Sequence, residues 1–208
     1  MKLKAFGCSF IAGTDLDDPT QTWTSLLAQR LGLEYQSFAA PGVGNLFILH
    51  QILAEIDQEP AIYFVNWSWI DRFDYIDSYD NHWQSLLPNE TGAAAQSYYR
   101  HLHSQYRDKL TNLLWIQTAI HALQNKKQKF VMTCMDNLLF ETEWHCDTVI
   151  SSLQNQCAPH MHTFEGYNFL DWSRMHNFAE SAQWHPLEAA HQAAAEYAWQ
   201  NFIPALSK

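Results

Sequence analysis

Basic residues are scarce. There are 12 Lys and Arg against 22 Asp and Glu in 208 residues, a formal charge of −10. Nucleic-acid binding needs Lys and Arg to replace phosphate counterions, so this balance argues against it. An anionic membrane surface would repel the chain for the same reason. Cysteine is sparse too: Cys8, Cys134, Cys146 and Cys157 show no C-x-x-C spacing and no small disulfide framework. Reduced thiols in a cytoplasmic protein are the expectation. Long apolar runs are missing. The longest, Ala61 to Ile70, is interrupted by Asn66 and Ser68 and falls well short of the roughly 20 residues a spanning helix needs. The start, Met1 to Gly7, is too short in apolar residues for a signal peptide.

What is present is a core. Apolar residues make up 47% of the chain and aromatics 14%, against 16% charged, which excludes a disordered tail. The length fits one domain, residues 1–208, since a domain takes roughly 100–200 residues, and it can bury a core without disulfide or metal staples.

Apolar runs and turn formers alternate along the chain. Leu3 to Phe6 reads as a buried strand ending at Gly7. Asp18-Pro19-Thr20 opens a helix that carries Trp23, Leu26, Leu27 and Leu31 up to Gly32. Leu33 to Phe38 is a second strand, followed by a loop through Ala39-Ala40-Pro41-Gly42-Val43-Gly44-Asn45 and a helix with Leu46, Leu49, Leu53 and Ile56 on one face. Ala61 to Asn66 is a strand buried on both faces. An aromatic and Asp-rich insertion follows at about 67–92, read as a long loop. One long helix is expected over about Gln96 to Gln124, a strand at Phe130 to Met135, a helix at Thr148 to Gln156 and a weak fifth strand at Met161 to Phe164. The last helix is expected to start at Pro186. This alternation predicts an α/β fold with a parallel sheet of about five strands covered by helices on both sides. Its site is expected beyond the carboxyl ends of the strands, where strand order switches.

Four loops at that end carry candidate chemistry. Gly7-Cys8-Ser9-Phe10 puts a serine at a tight strand-to-helix turn, its hydroxyl exposed and its amide at a helix N-terminus. Pro41-Gly42-Val43-Gly44-Asn45 offers glycines that let backbone amides approach a ligand. Asn66-Trp67-Ser68 ends the third strand with polar groups, and Trp184-His185-Pro186 holds a histidine before the last helix. Taken singly, each is an ordinary cap or turn. In this order and spacing, from residue 7 to 191, they resemble the SGNH hydrolases, also called the GDSL esterase/lipase family.

That resemblance implies a three-layer α/β/α sandwich of flavodoxin-like type and an acyl transfer to water without a cofactor or metal. Ser9 would be the nucleophile and His185 the base. The Ser9 amide, Gly44 and Asn66 would form the oxyanion hole, with Ser68 replacing Asn66 under another alignment. The chain departs from the family where Cys8 replaces the aspartate of the first block, and where Ala182 stands three residues before His185 in place of the triad acid. Ser9 and His185 would then act as a dyad oriented by a backbone carbonyl, or Asp171 or Glu180 would reach in. The implied substrate is a carboxylic ester, with an O-acetyl or short acyl group on a sugar as the candidate, because Trp69, Phe73, Tyr75, Tyr79 and Trp83 offer a sugar-binding wall or lid. The alternative reading is a catalytically degenerate fold of this type that binds a carbohydrate or a protein.

Other features read as structural. Cys8 is expected to pack as a small hydrophobe. Asp71, Asp74, Asp77 and Asp80 recur every third residue, unlike a calcium loop, and read as a solvated face. The eleven histidines lack metal-ligand spacing, and His191, on the apolar face of Leu187, Ala190 and Ala194, reads as a buried structural residue.

Overall fold

A computed structural model describes residues 1–207. In chain order it contains β1 (Lys2–Phe6), α1 (Ser9–Ala12), α2 (Trp23–Leu31), β2 (Glu34–Ser37), α3 (Asn45–Glu55), β3 (Ala61–Trp67), β4 (Phe73–Ile76), β5 (Trp83–Leu86), α4 (Ala93–His101), α5 (Gln105–Asn125), β6 (Lys129–Cys134), α6 (Thr148–Cys157), α7 (Phe169–Met175) and α8 (Glu188–Asn201). Strands β2, β1, β3 and β6 lie in that order in one parallel sheet. The chain runs outward from β1 to β2, then crosses back to β3 on the other side of β1. Order therefore reverses between β1 and β3, the position at which open α/β sheets build their crevice.

Both faces of the sheet are covered because its central strand β3 is apolar on both faces. All seven residues of β3 are buried. Phe64 meets Trp23 of α2, ring centroids 5.8 Å apart, while the preceding Tyr63 points the other way and donates its hydroxyl to the Glu55 carbonyl at the end of α3. One helical layer therefore holds α2 with α8, and the other holds α3, α5 and α6. On the α2 side, Trp23, Phe164 and Phe202 continue an edge-to-face aromatic cluster. On the α3 side, the buried ammonium of Lys4 in β1 is neutralised by the Glu55 carboxylate at 2.9 Å.

Several expected elements change shape. The sheet has four strands among the described residues, because the expected fifth touches β6 only through Met161 and Met132. A 3-10 turn over Ala158–His160 delivers it, and a tight turn at Glu165–Gly166 folds Phe164 back on Tyr167. The expected long helix is two. Ser104 caps the amide of Arg107 and starts α5 afresh, leaving Leu102, a residue of the expected apolar face, 70% exposed. The insertion is not all loop, since β4 and β5 pair as an antiparallel hairpin and α4 follows from Ala93. The last helix begins at Glu188. Pro186 instead bridges to Glu180 in a tight loop closed by the amide of Ser181 on the His185 carbonyl.

His191 of α8 is buried against Phe169, and its Nδ1 accepts the first free amide of α2, from Trp23, at 3.0 Å. Burial holds its imidazole neutral, pulling its pKa from 6.5 down to about 4. Because the unfolded chain binds this proton more readily, stability is complete above about pH 6.5 and falls as pH drops toward 4, a loss of roughly 3 kcal/mol. His191→Asn, which keeps an acceptor for the Trp23 amide, is expected to flatten the dependence of the unfolding midpoint on pH between 6.5 and 4. An unchanged slope in thermal melts across that window would assign the acid loss to other groups.

Candidate active site

The turn after β1 is forced to be tight. A Cβ on Gly7 would lie 2.6 Å from Cγ1 of Ile11 and 3.1 Å from the Asn66 carbonyl, so a side chain there would drive β1 and α1 apart. The Cys8 carbonyl accepts the amides of Ile11 and Ala12, making Ser9 the first residue of α1. The Cys8 side chain is fully buried in the core. Helix α1 then stops at Gly13, and the chain swings through Thr14 to Asp15, itself left-handed at φ 68°.

That swing brings three side chains into line. His185 Nε2 lies 2.9 Å from Ser9 Oγ, and His185 Nδ1 lies 2.7 Å from Asp15 Oδ2. A proton on Nδ1 donated to the carboxylate leaves the Nε2 lone pair free to accept from the serine hydroxyl. The imidazole side chain is 13% exposed and the Asp15 side chain 26%. Phe10 meets the imidazole edge-on with centroids 5.1 Å apart. Ser181 donates its hydroxyl to the same Asp15 oxygen at 2.7 Å and accepts the backbone amides of Gln183 and His185. The hydrogen bond from His185 first, and that from Ser181 second, hold the Asp15 carboxyl below the usual carboxylate range. The Asp15 loop is also pinned to the start of α8, where the Glu188 carboxylate accepts the amide of Asp17 at 2.9 Å.

Neither Asp171 nor Glu180 occupies the acid position. Asp171 accepts the side-chain amides of Asn137 and Asn168, and Glu180 forms a two-pronged pair with Arg174. Asp15 was not among the residues expected at the site, because the family pattern puts the acid beside the histidine. The available signal was a glycine that ends a helix, followed two residues later by an aspartate on the nucleophile's own loop.

Two of the three expected oxyanion groups, Gly44 and Asn66, are engaged elsewhere. Asp74 of β4 accepts the Gly44 amide at 2.7 Å and the Phe47 amide at 2.9 Å, capping α3 from a distant strand. A Cβ on Gly44 would sit 2.9 Å from both oxygens of that carboxylate. Asn66 spends its side-chain amide on Thr133 within the sheet. Ser68 is buried, its amide donated to Asn45 and its hydroxyl without a partner. The third expected donor, the Ser9 amide, has no acceptor among the described residues, and neither has the amide of Gly42. Both residues line a cavity of about 790 Å³, together with His185, Thr14, Trp69, Asp71, Arg72, Asn89, Arg174 and Trp184. Of the insertion's aromatics, only Trp69 reaches it. Phe73 stacks on Tyr98 and Trp83 packs on Phe47, while Tyr79 stands free at the hairpin tip. The expected solvated aspartate face splits accordingly: Asp74 is a buried cap, Asp71 lines the cavity, and Asp77 and Asp80 are at the surface. Among the described residues no three His, Cys, Asp or Glu side chains are placed to hold a metal ion, and no helix is long and apolar enough to cross a membrane.

The fold is that of the SGNH/GDSL hydrolases. A lipolytic protein of the G-D-S-L family from Veillonella parvula superposes with a TM-score of 0.57 at 13% identity over 98% of both chains. The psychrotrophic esterase EstA from Pseudoalteromonas sp. does so with a TM-score of 0.59 at 11% identity, over 100% of this chain and 99% of its own. An acetyl xylan esterase, Est2A, from Butyrivibrio proteoclasticus gives 0.53 at 13% identity, over 100% of this chain and 64% of its own. No protein-family model matches the sequence, and no curated protein is significantly similar to it in sequence.

The Asp74 carboxylate also accepts the Ser85 hydroxyl at 2.6 Å. Asp74→Ala therefore strands two amides and a hydroxyl, and is expected to cost about 2–3 kcal/mol. At this chain length that lowers the melting midpoint by roughly 4–12 °C, read by calorimetry. A change below about 0.5 kcal/mol, within the range of an ordinary surface substitution, would show that other contacts hold the 41–47 corner.

Proposed function

We propose that the protein is a serine ester hydrolase of the SGNH type, in which Ser9, His185 and Asp15 act as a catalytic triad. The observation that carries this is the unbroken hydrogen-bonded line from Ser9 Oγ through the imidazole to the Asp15 carboxylate, at the reversal of strand order. His185 Nε2 takes the Ser9 proton as Oγ attacks the ester carbonyl, and returns it to the departing alcohol. Asp15 keeps the other ring nitrogen protonated and stabilises the imidazolium that forms. The amides of Ser9 and Gly42 are the donors for the oxyanion, in place of Gly44 and Asn66. Water then repeats the attack on the acyl-enzyme with the same base.

The substrate is a carboxylic ester carrying an acetyl or other short acyl group on a sugar. Trp69 and Trp184 support this reading: they line the cavity, and Trp184, next to the base, is 68% exposed on a left-handed backbone at φ 64°. An apolar plane held at such cost beside a site is suited to stacking on a sugar ring. The acetyl xylan esterase with the same fold agrees with it. The binding-module alternative drew its support from the vacant acid position at Ala182 and from the altered third block, and a carboxylate delivered by Asp15 answers the first of these.

Hydrolysis of p-nitrophenyl acetate, butyrate and octanoate tests the assignment. Ser9→Ala is expected to lower kcat by about 10³-fold or more and Asp15→Asn by about 10²–10⁴-fold, with Cys8→Ala within about threefold of the parent. Equal rates for Ser9→Ala and the parent would overturn the serine mechanism. Full activity in Asp15→Asn would remove the acid from the account.

A further inference from the structure

Two guanidinium groups line the Ser9 cavity, and they differ in one respect. Arg174 is neutralised by Glu180 through two hydrogen bonds of 2.8 and 3.0 Å. Arg72 has no carboxylate within ion-pair distance among the described residues. Its one hydrogen bond runs from Nη1 to the Val43 carbonyl at 2.9 Å, leaving most of its five N–H donors unspent. That bond holds the guanidinium against the loop that carries Gly42, at the wall of the cavity. Asp71, the adjacent lining carboxyl, does not pair with it. Burial first, and the charge of Asp136 second, raise the Asp71 carboxyl above its ordinary value, while the nearby Arg72 charge lowers it.

In a chain of net charge −10, a guanidinium without an ion-pair partner in the cavity that holds Ser9 offers a local anion site. The planar fork of a guanidinium matches a carboxylate in two-pronged fashion, a geometry that an ammonium lacks.

We propose that Arg72 binds a carboxylate on the substrate, so that the ester cleaved at Ser9 carries an anionic group on its acyl or its alcohol part. The proposal rests on the esterase reading for the reaction, but the carboxylate site itself does not.

Matched ester pairs test it. Mono-4-nitrophenyl succinate is compared with its neutral methyl ester for the acyl side, and O-acetylglucuronic acid with O-acetylglucose for the alcohol side. In at least one pair the parent protein is expected to favour the anionic ester by about tenfold or more in kcat/KM. Arg72→Gln, which removes the charge, is expected to abolish that preference while leaving the neutral ester within about threefold, and Arg72→Lys to keep part of it. In parallel, calorimetry measures succinate and glucuronate binding to Ser9→Ala and to Ser9→Ala/Arg72→Gln. Arg72-dependent binding without turnover of any ester would sustain the anion site and sink the esterase reading. Turnover with no anionic preference, or equal losses on both members of each pair in Arg72→Gln, would overturn the anion site and leave the esterase reading standing. Neither turnover nor carboxylate binding would overturn both.

Discussion

The carboxylate of Asp15 joins two loops 170 residues apart in the chain. It accepts the imidazole of His185 and the hydroxyl of Ser181, and Ser181 in turn takes up the backbone amides of Gln183 and His185. A short, tight segment from Ala179 to Leu187 is thereby latched onto the loop that leaves the nucleophile's helix. Ser9 and His185 are held by the same interaction, so orientation of the ring does not depend on an acid inside the histidine's own loop. The pairing suits a polar, partly exposed place. The carboxyl is held ionised by its donors, not by burial, and it stays charged throughout the range where a neutral imidazole can act as base.

A second polar corner, on the other side of the strand-order reversal, is built on buried side chains. Asn45 at the start of α3 bonds both backbone groups of Ser68 and the side chain of Asn112, which continues to the carbonyls of Ile70 and Asp108. With Asp74 capping α3 from β4, this network ties the third strand, the third and fifth helices and the hairpin into one rigid wall. Every partner is short of alternatives once water is excluded, which is why such networks specify one arrangement. Gly44 and Asn66 are thereby engaged within the fold, and among the expected donors the Ser9 amide stays free, as does that of Gly42.

The layers and the position of the site were legible in the sequence because they follow from hydrophobic pattern. Ala61 to Asn66 could only be a doubly buried strand, and the loops after β1, β2 and β3 had to gather at one end of a parallel sheet. The tight turn after β1 was legible as well, since Ile11 and the Asn66 carbonyl leave Gly7 no room for a side chain. The break at Ser104 was harder to see, because helical spacing of apolar residues continues across it and only the cap chemistry interrupts it. The capping role of Asp74 depends on a contact between segments 30 residues apart, which no local pattern reports. Asp15 was hidden for the same reason: its role comes from where the chain turns after Gly13, not from any spacing to His185. The fifth strand failed because one turn delivers Met161 to the sheet edge and the next removes the chain from it.

In the proposed mechanism Asp15, through His185, activates Ser9. Intact-protein mass spectrometry after treatment with an organophosphonate ester measures that activation without a guess at the natural ester. A single phosphonyl adduct is expected that maps to Ser9, is absent in Ser9→Ala, and forms about 10²-fold more slowly in Asp15→Asn. An adduct at another residue, or an equal labelling rate with and without the Asp15 carboxylate, would contradict it.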